Sequence, residues 1–169
     1  MTKQQNVIHQ GRLISLHKEQ VALREGGFTT FDIVKHPGGA VIAAVNQRNE
    51  ICLIKQWRHA VDAFIWEAPA GCLEIGEDPL VTAQRELEEE AGVVAQEWKS
   101  LGRLVTSPGF SNEVLYLYKA TNLTSGTVKL DAAEQIEAHW LPIEKALEMA
   151  RDGEIEDAKT LAILLKITS

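Results

Sequence analysis

The first third of the chain looks like a series of short strands that contain many apolar positions. Strands are predicted at 7–16, 20–24 and 28–36. The sequence Glu25-Gly26-Gly27 predicts a tight turn between the second and third strands. Because a three-stranded ribbon is marginal alone, we expect it to pack on another part of the assembly.

The rest of the chain mixes buried strands with amphipathic helices. The sequence His36-Pro37-Gly38-Gly39 separates it from the ribbon. Apolar runs at 40–45 and 51–57 flank a polar turn and predict a hairpin of buried strands. Further strands are predicted at 64–67, 98–106, 114–120 and 136–141. Two amphipathic helices are predicted at 143–151 and 155–165, so we expect an α/β fold of sandwich type.

A third helix is predicted before the strand at 98–106, and its start and stop signals are clear. Asp78 is a good N-cap residue, Pro79 suits the first helical position, and Gly92 is a natural C-terminal stop. The apolar positions that recur at helical spacing are Leu80, Ala83, Leu87 and Ala91. We expect this stripe to be buried.

The same helix carries four carboxylates in its last turns. Glu86, Glu88, Glu89 and Glu90 lie near the C-terminus, where the helix dipole favours cations and like charges repel. Glu86 and Glu90 are one turn apart on one side, and Arg85 is placed to orient Glu89. A solvated acidic face is the ordinary explanation, and Glu88 fits it. A divalent cation would remove the repulsion, and oxygen ligands suit magnesium or manganese.

Composition narrows the classes of function. The chain has 169 residues, which fits one domain with its own core, and a net charge of −7 without a basic stripe. We therefore expect no general nucleic-acid binding. Cys52 and Cys72 have no zinc-ligand spacing and are read as reduced packing residues. No signal core or membrane-length apolar run occurs, so we expect no membrane partner and a cytoplasmic location.

The acidic helix and the loop before it resemble the Nudix box. The pattern is Gly, five residues, Glu, seven residues, then Arg-Glu-hydrophobic-x-Glu-Glu-x-Gly-hydrophobic. It is filled here by Gly71, Glu77, Arg85, Glu86, Leu87, Glu89, Glu90, Gly92 and Val93. The resemblance implies a Nudix-type α/β/α sandwich with a mixed sheet and a metal-dependent hydrolase, with Mg²⁺ as the cofactor and Mn²⁺ as a possible substitute.

Three outer segments resemble the ADP-ribose pyrophosphatase branch. They are residues 55–58 with 66–71, residues 107–113, and residues 153–160. The resemblance implies hydrolysis of a nucleoside diphosphate sugar within its diphosphate, with ADP-ribose as the leading substrate. Substrates of the ADP-glucose or GDP-mannose type are the close alternative. A nucleoside triphosphate or dinucleoside polyphosphate hydrolase, and a ligand-sensing domain without catalysis, are less favoured.

The resemblance also implies roles for individual residues. Glu86 and Glu90 would be metal ligands together with the Ala70 carbonyl. Glu89 would be a further ligand or the catalytic base, and Arg85 would hold the glutamates in place. Glu77 would brace the loop against the helix.

The remaining implied roles concern the substrate. Arg58 would contact the diphosphate, and Glu67 and Glu113 would face the ribose or the base. Relatives often carry an acid in the loop before the penultimate strand. In this chain that loop is 131–134, where Glu134 is the candidate and Ala132 stands where an acid is common. The identity of the base therefore stays open.

The sequence finally predicts a homodimer. We divide the chain into a ribbon at 1–36 and a Nudix hydrolase domain at 37–169. The ribbon carries more apolar residues than a free hairpin can expose, and a two-fold interface would bury them. The resemblance implies that this segment is exchanged between subunits and touches the nucleotide. The alternative is that the ribbon folds back on its own chain.

Overall fold

The computed structural model describes residues 3–130 and 135–168. The strands are β1 (Lys3–Gln10), β2 (Ser15–Ala22), β3 (Phe28–Lys35), β4 (Gly39–Ala44), β5 (Glu50–Arg58), β6 (Ala63–Glu67), β7 (Ala70–Cys72), β8 (Val93–Val105), β9 (Val114–Ser125) and β10 (Ile136–Pro142). The helices are α1 (Pro79–Ala91), α2 (Ile143–Arg151) and α3 (Ala158–Ile167). None of the helices in the described ranges is long and apolar enough to span a membrane.

The strands form three sheets. The N-terminal ribbon is an antiparallel sheet in the order β1-β2-β3. A second sheet has the order β10-β5-β6, and a third has the order β7-β4-β9-β8. In the third sheet β4 runs parallel to β9 and antiparallel to β7. The predicted α/β fold with a mixed sheet, preceded by an antiparallel N-terminal ribbon, is confirmed.

Helices cover both faces of the central strands. Successive side chains of a strand point to opposite faces, so β4 contributes to two cores. Val41 packs in a cluster with Ile143 of α2 and Ile163 of α3. Ile42 packs in a second cluster with Leu87 of α1. Burial on both faces explains why this strand is continuously apolar rather than alternating.

The predicted hairpin at 40–45 and 51–57 is wrong. β4 and β5 lie in different sheets, and the bridge between them in the described residues is Val45 with Ile51. Both strands are buried on both faces, so neither has an alternating pattern that would identify its neighbours. The turn between them, at 46–49, is present as predicted.

Several predicted boundaries shift by a few residues. The strand predicted at 7–16 is divided between β1 and β2, because the Gly11 amide donates to the Ile14 carbonyl in a turn. The helix predicted at 155–165 begins at Ala158, because Asp157 caps it by accepting from the Thr160 amide. The number and order of the strands in the ribbon nevertheless agree with the prediction.

The capping signals of α1 are confirmed. The Asp78 side chain accepts a hydrogen bond from the Leu80 amide at 2.8 Å. Gly92 ends the helix in the left-handed conformation, with φ of 63°. The chain passes directly from Gly92 into β8, five residues earlier than the sequence predicts.

Candidate active site

The acidic side of α1 lies against β7, and Gly71 makes this approach possible. A Cβ atom added to Gly71 would lie 1.9 Å from Cδ of Glu86. Any larger side chain would therefore occupy the space of the Glu86 carboxyl group. Because Gly71 has no side chain, the Glu86 carboxyl group can lie directly against β7.

A backbone group of β7 fixes the second carboxylate of this face. The Ala70 amide donates to Oε2 of Glu90 at 2.9 Å, and Glu90 is only 5 % exposed. Pro69 accepts from the Ile42 amide in the ladder with β4. Antiparallel ladders alternate bonded and non-bonded positions, so the amide and carbonyl of Ala70 point away from β4. The Ala70 carbonyl is thereby left on the side of the glutamates.

Arg85 links the glutamates of the helix to the preceding loop. Its Nη1 donates to Oε1 of Glu86 at 2.6 Å and to Oε2 of Glu89 at 3.1 Å. Glu77 lies 3.5 Å from this guanidinium and accepts from the Thr82 hydroxyl at 2.8 Å. Partial burial opposes the charge of Arg85, but the hydrogen bonds to Glu77 and Glu86 more than offset it and raise the pKa of the guanidinium.

This arrangement can be tested for its fit to a divalent cation. Within 3–130 and 135–168, no three His, Cys, Asp or Glu side chains already converge on one point. Two of the carboxylates instead point to the Arg85 guanidinium, and Glu90 points to the Ala70 amide. The available donors on this face are nevertheless oxygens, with several negative charges close together. That donor set fits a hard cation such as Mg²⁺, which takes one or two carboxylates and keeps several waters.

The glutamates line one end of a cleft. A cavity of about 440 Å³ is bounded by Glu86, Glu90 and Gln56. An adjoining cavity of about 410 Å³ is bounded by Glu113 and Lys159. The residues common to both cavities are Leu13, Arg58, Ala70, Gly71 and Cys72. The two cavities are therefore parts of one cleft, acidic at one end and with Arg58 in its middle.

A buried carboxylate holds Arg58 and Lys159, two of the cationic side chains that line this cleft. Arg58 donates from Nε and Nη2 to the two oxygens of Glu67, at 2.6 and 2.7 Å. Lys159 contacts the same carboxylate and also Asp157, at 3.0 Å. Glu67 is 1 % exposed. Burial alone would raise the pKa of Glu67, but Arg58 and Lys159 outweigh it and lower the pKa below its ordinary value.

The start of α3 is fixed to the same segment. The Thr160 hydroxyl accepts from the Ala68 amide at 2.7 Å and donates to Oδ2 of Asp157 at 2.5 Å. Thr160 and Ala68 are fully buried. The Asp157 carboxylate therefore serves two purposes, because it caps α3 and accepts from Lys159.

Glu113 lies at the end of the cleft away from the glutamates of α1. Its Oε2 accepts from the Thr106 hydroxyl at 2.7 Å, and its Oε1 lies 3.4 Å from Nδ1 of His36. The turn between β1 and β2 reaches the same cleft, where Leu13 lines both cavities and Arg12 lines the acidic one. In this single chain the ribbon thus contributes to its own cleft.

The structure brings most of the predicted site residues into this one cleft. Those close to the acidic end are Ala70, Arg85, Glu86, Glu89 and Glu90, and those further along are Arg58, Glu67 and Glu113. Glu67 reaches the cleft through Arg58, since both of its oxygens are used by Arg58 and Lys159. Glu134 lies outside the described residues.

Sequence reasoning assigned no role to several residues of the cleft. Asp157, Lys159 and Thr160 lie in the segment 153–160, which resembles the ADP-ribose pyrophosphatase branch. The signal that could have identified them is Glu67, because a buried carboxylate requires cationic partners. Gln56 likewise lies in a segment with this resemblance, 55–58, which also contains Arg58. Glu88, expected on a solvated face, is half-buried and accepts from the Thr127 amide at 3.4 Å.

Comparison with known proteins agrees with this geometry. A sequence profile described as NUDIX domain matches residues 35–163. The chain is 38 % identical to a methanol dehydrogenase activator of Bacillus methanolicus over 91 % of this chain and 84 % of that protein. It is 39 % identical to an ADP-ribose pyrophosphatase of Bacillus subtilis strain 168, over 90 % of this chain and 84 % of that protein. A crystal structure of an ADP compounds hydrolase has a TM-score of 0.85, with 17 % identity, over 99 % of this chain and 91 % of that one, which shows the shared fold.

Proposed function

The chain belongs to the NUDIX domain family and is a hydrolase, and we propose that it cleaves the diphosphate of a nucleoside diphosphate sugar. ADP-ribose is the leading substrate, and its products are AMP and ribose 5-phosphate. The observation that carries this proposal is the cleft in which an acidic end adjoins the Arg58 guanidinium. A substrate with two phosphates and a group on either side needs both the acidic end, for a cation, and the Arg58 guanidinium, for a phosphate.

The proposed metal ligands are Glu86, Glu90 and the Ala70 carbonyl, with Mg²⁺ as the cofactor. When bound, a divalent cation would neutralise phosphate charge and would lower the pKa of a water molecule in the site. Arg85 fixes the rotamers of the carboxylates through its hydrogen bonds to Glu86 and Glu89. Glu89 is a further ligand or the base that takes the proton from water. Glu134 is the other candidate for the base.

Arg58 is the proposed contact for the far phosphate. Glu67 holds the Arg58 guanidinium and is itself held by Lys159, so little side-chain entropy is lost when Arg58 binds a phosphate in bidentate fashion. Glu67 acts on the substrate through Arg58 and is a positioning residue. Glu113 faces the end of the cleft where the ribose or the base would lie.

A hydrolysis assay with Mg²⁺, read by separating the nucleotide products, tests the proposed reaction. The substrates are ADP-ribose, ADP-glucose, GDP-mannose, ATP and a dinucleoside polyphosphate, with AMP or GMP identified as products. We expect a nucleotide sugar to exceed ATP by at least tenfold in kcat/KM. A preference for ATP or a dinucleoside polyphosphate would refute the substrate class. No turnover of any substrate would favour a ligand-sensing domain.

Variants of α1 connect the reaction to the metal site. Glu86→Gln and Glu90→Gln should each lower kcat by more than about 100-fold while the fold survives, because each removes a ligand oxygen and also relieves repulsion. Glu88→Gln is the matched control, since this carboxylate lies near Thr127 on another side of the helix. A loss of activity in Glu88→Gln equal to that in Glu90→Gln would contradict the assignment.

We also propose that the chain works as a homodimer through its ribbon. Within this single chain, apolar residues of the ribbon are exposed, among them Val7, Ile8, Leu23 and Phe28. A second copy packed on them would remove this apolar area from water. The contribution of Leu13 to the cleft supports a link between dimerisation and substrate binding.

Light scattering tests the dimer. Phe28 is 63 % exposed, so Phe28→Lys should shift the protein toward the monomer if a partner covers this residue. Leu165→Lys is the control, because Leu165 is 69 % exposed and belongs to α3 rather than to the ribbon. A monomeric wild-type protein would overturn the proposal.

A cytoplasmic location stays a prediction. Cys52 and Cys72 are both free thiols, as in proteins of reducing compartments. Burial and the nearby Glu90 raise the pKa of Cys52 to about 12, so this thiol is unreactive at neutral pH.

A further inference from the structure

Gln56 is a buried polar residue for which the fold alone gives no use. The residue is 6 % exposed and lies two residues before the end of β5. Its Oε1 is fully buried and accepts no hydrogen bond from any residue of the described ranges. A buried amide oxygen without a donor is unfavourable, and such groups in native proteins usually have a partner in water or a bound ion.

The position of Gln56 points to the acidic end of the cleft. Alternate residues of β5 share a face, and Cys52 on that face packs with Leu87 of α1. Gln56 follows on the same face and bounds the cavity that Glu86 and Glu90 also bound. The terminal torsion of a glutamine is broad, so its oxygen can turn within this cavity at little cost.

The surroundings decide which ligand chemistry this oxygen can meet. Arg12, Arg58 and Arg85 bound this cavity as well as the glutamates, but the orphan atom is an acceptor, which an anion without a proton cannot satisfy. A hydrated divalent cation supplies water protons as donors. A neutral amide oxygen can accept one of these without adding to the repulsion between the carboxylates.

We propose that Gln56 belongs to the cation site, where its amide oxygen accepts a hydrogen bond from a water of the cation held by Glu86 and Glu90. This inference rests on the metal site of the proposed function and adds a residue from β5 to it. Outer partners of this kind orient the hydrated ion, and their loss typically weakens metal binding by about 10- to 100-fold. Gln56 is therefore a positioning residue for the cation.

The test is a titration of the whole chain with Mn²⁺, followed by the electron paramagnetic resonance of the free ion, without nucleotide. Gln56→Met keeps the length of the side chain and removes the oxygen. We expect its Mn²⁺ affinity to fall about tenfold or more. The melting temperature of the metal-free variant should stay level or rise, because the oxygen removed has no partner there. Gln84→Met, at an exposed position of α1, is the control and should bind Mn²⁺ as the wild type does.

A second variant keeps the inference falsifiable if Gln56→Met does not fold. Gln56→Glu adds a charge beside Glu86 and Glu90, so the metal-free melting temperature should fall. The increase in melting temperature on adding Mn²⁺ should then exceed that of the wild type. An unchanged Mn²⁺ affinity in Gln56→Met, or an increase in Gln56→Glu no larger than that of the wild type, would overturn the inference.

The metal titration is independent of the substrate. If no nucleotide sugar is hydrolysed but Mn²⁺ binding depends on Gln56, the proposed function fails and the cation site stands. If the nucleotide sugar is hydrolysed but Mn²⁺ binding is the same in Gln56→Met, the role of Gln56 fails alone.

Discussion

Replacing Gly71 by alanine should separate activity from stability. The added Cβ would lie 1.9 Å from Cδ and Oε1 of Glu86, which are the far end of a flexible side chain. The φ angle of Gly71 is outside the left-handed region, so alanine fits the backbone of β7. The clash is therefore resolved by moving the Glu86 carboxylate rather than by unfolding the strand.

The size of the displacement sets the expected loss. Glu86 must retreat by about 1 Å to reach 3.0 Å, below which real Cβ contacts essentially do not occur. A misplacement of about 1 Å in a catalytic constellation can cost on the order of 100-fold, or about 2.7 kcal/mol of transition-state stabilisation. The free energy of unfolding should change by less than about 1 kcal/mol, since Gly→Ala at an allowed position restricts mainly the unfolded chain.

Two measurements check this prediction for Gly71→Ala. The first is kcat/KM with ADP-ribose at saturating Mg²⁺, and the second is the free energy of unfolding in urea. Gly109→Ala is the control for the backbone effect on unfolding, because a Cβ there would meet no heavy atom within 4 Å. A kcat/KM within threefold of the wild type would show that the observed position of Glu86 is not the one that hydrolysis requires.

Two further predictions concern the strands around the cleft. Gly39→Ala should lower the free energy of unfolding by roughly 1–3 kcal/mol in urea, because its Cβ would lie 2.7 Å from the Gly71 carbonyl oxygen, a backbone atom that cannot turn away; a stability equal to that of the wild type would contradict this. Glu67→Gln should lower the free energy of unfolding by about 3 kcal/mol at pH 7, because Arg58 and Lys159 lose the carboxylate that they share. The folded pKa of Glu67 is lowered, so its contribution is complete above the unfolded value of about 4.3 and is lost as the pH falls through the folded value. The difference between the wild type and Glu67→Gln should therefore narrow in urea unfolding at pH 3, and an equal difference at both pH values would refute the role of the charge.

The elements that the sequence predicts well are those with local signals. The bounds of α1 follow from Asp78, Pro79 and Gly92, each of which acts through its own neighbours. The helix α2 matches the prediction at both ends. Strand pairing was harder because β4 and β5 are buried on both faces, and a continuous apolar run does not indicate its partners. The pairing of β4 with β9 joins residues far apart in sequence, to which no local pattern points.

The site residues also divide into those that local spacing predicts and those that only the fold brings together. The spacing of Glu86 and Glu90 within one helix places both carboxylates on the side that meets β7. The partners of Glu67 come from β5 and from the start of α3, so only the fold reveals them. The burial of Gln56 has the same origin, because it depends on α1 covering one face of β5.

The segment 67–71 connects the two ends of the cleft through its own covalent chain. Its first residue holds Arg58 and Lys159, and the amide of the next is bonded to Thr160. Ala70 and Gly71, at its other end, meet the glutamates of α1. Four peptide units span at most about 13 Å, which limits how far apart the backbone positions that hold the cationic and acidic parts can lie. In the proposed cleavage of a diphosphate, one phosphate would lie at Arg58 while the other would lie near the glutamates of α1. The Thr160 hydroxyl on the Ala68 amide and the Glu90 carboxylate on the Ala70 amide hold the segment at both ends. One short stretch of backbone, anchored on one side by α3 and on the other by α1, therefore joins the two parts of the cleft.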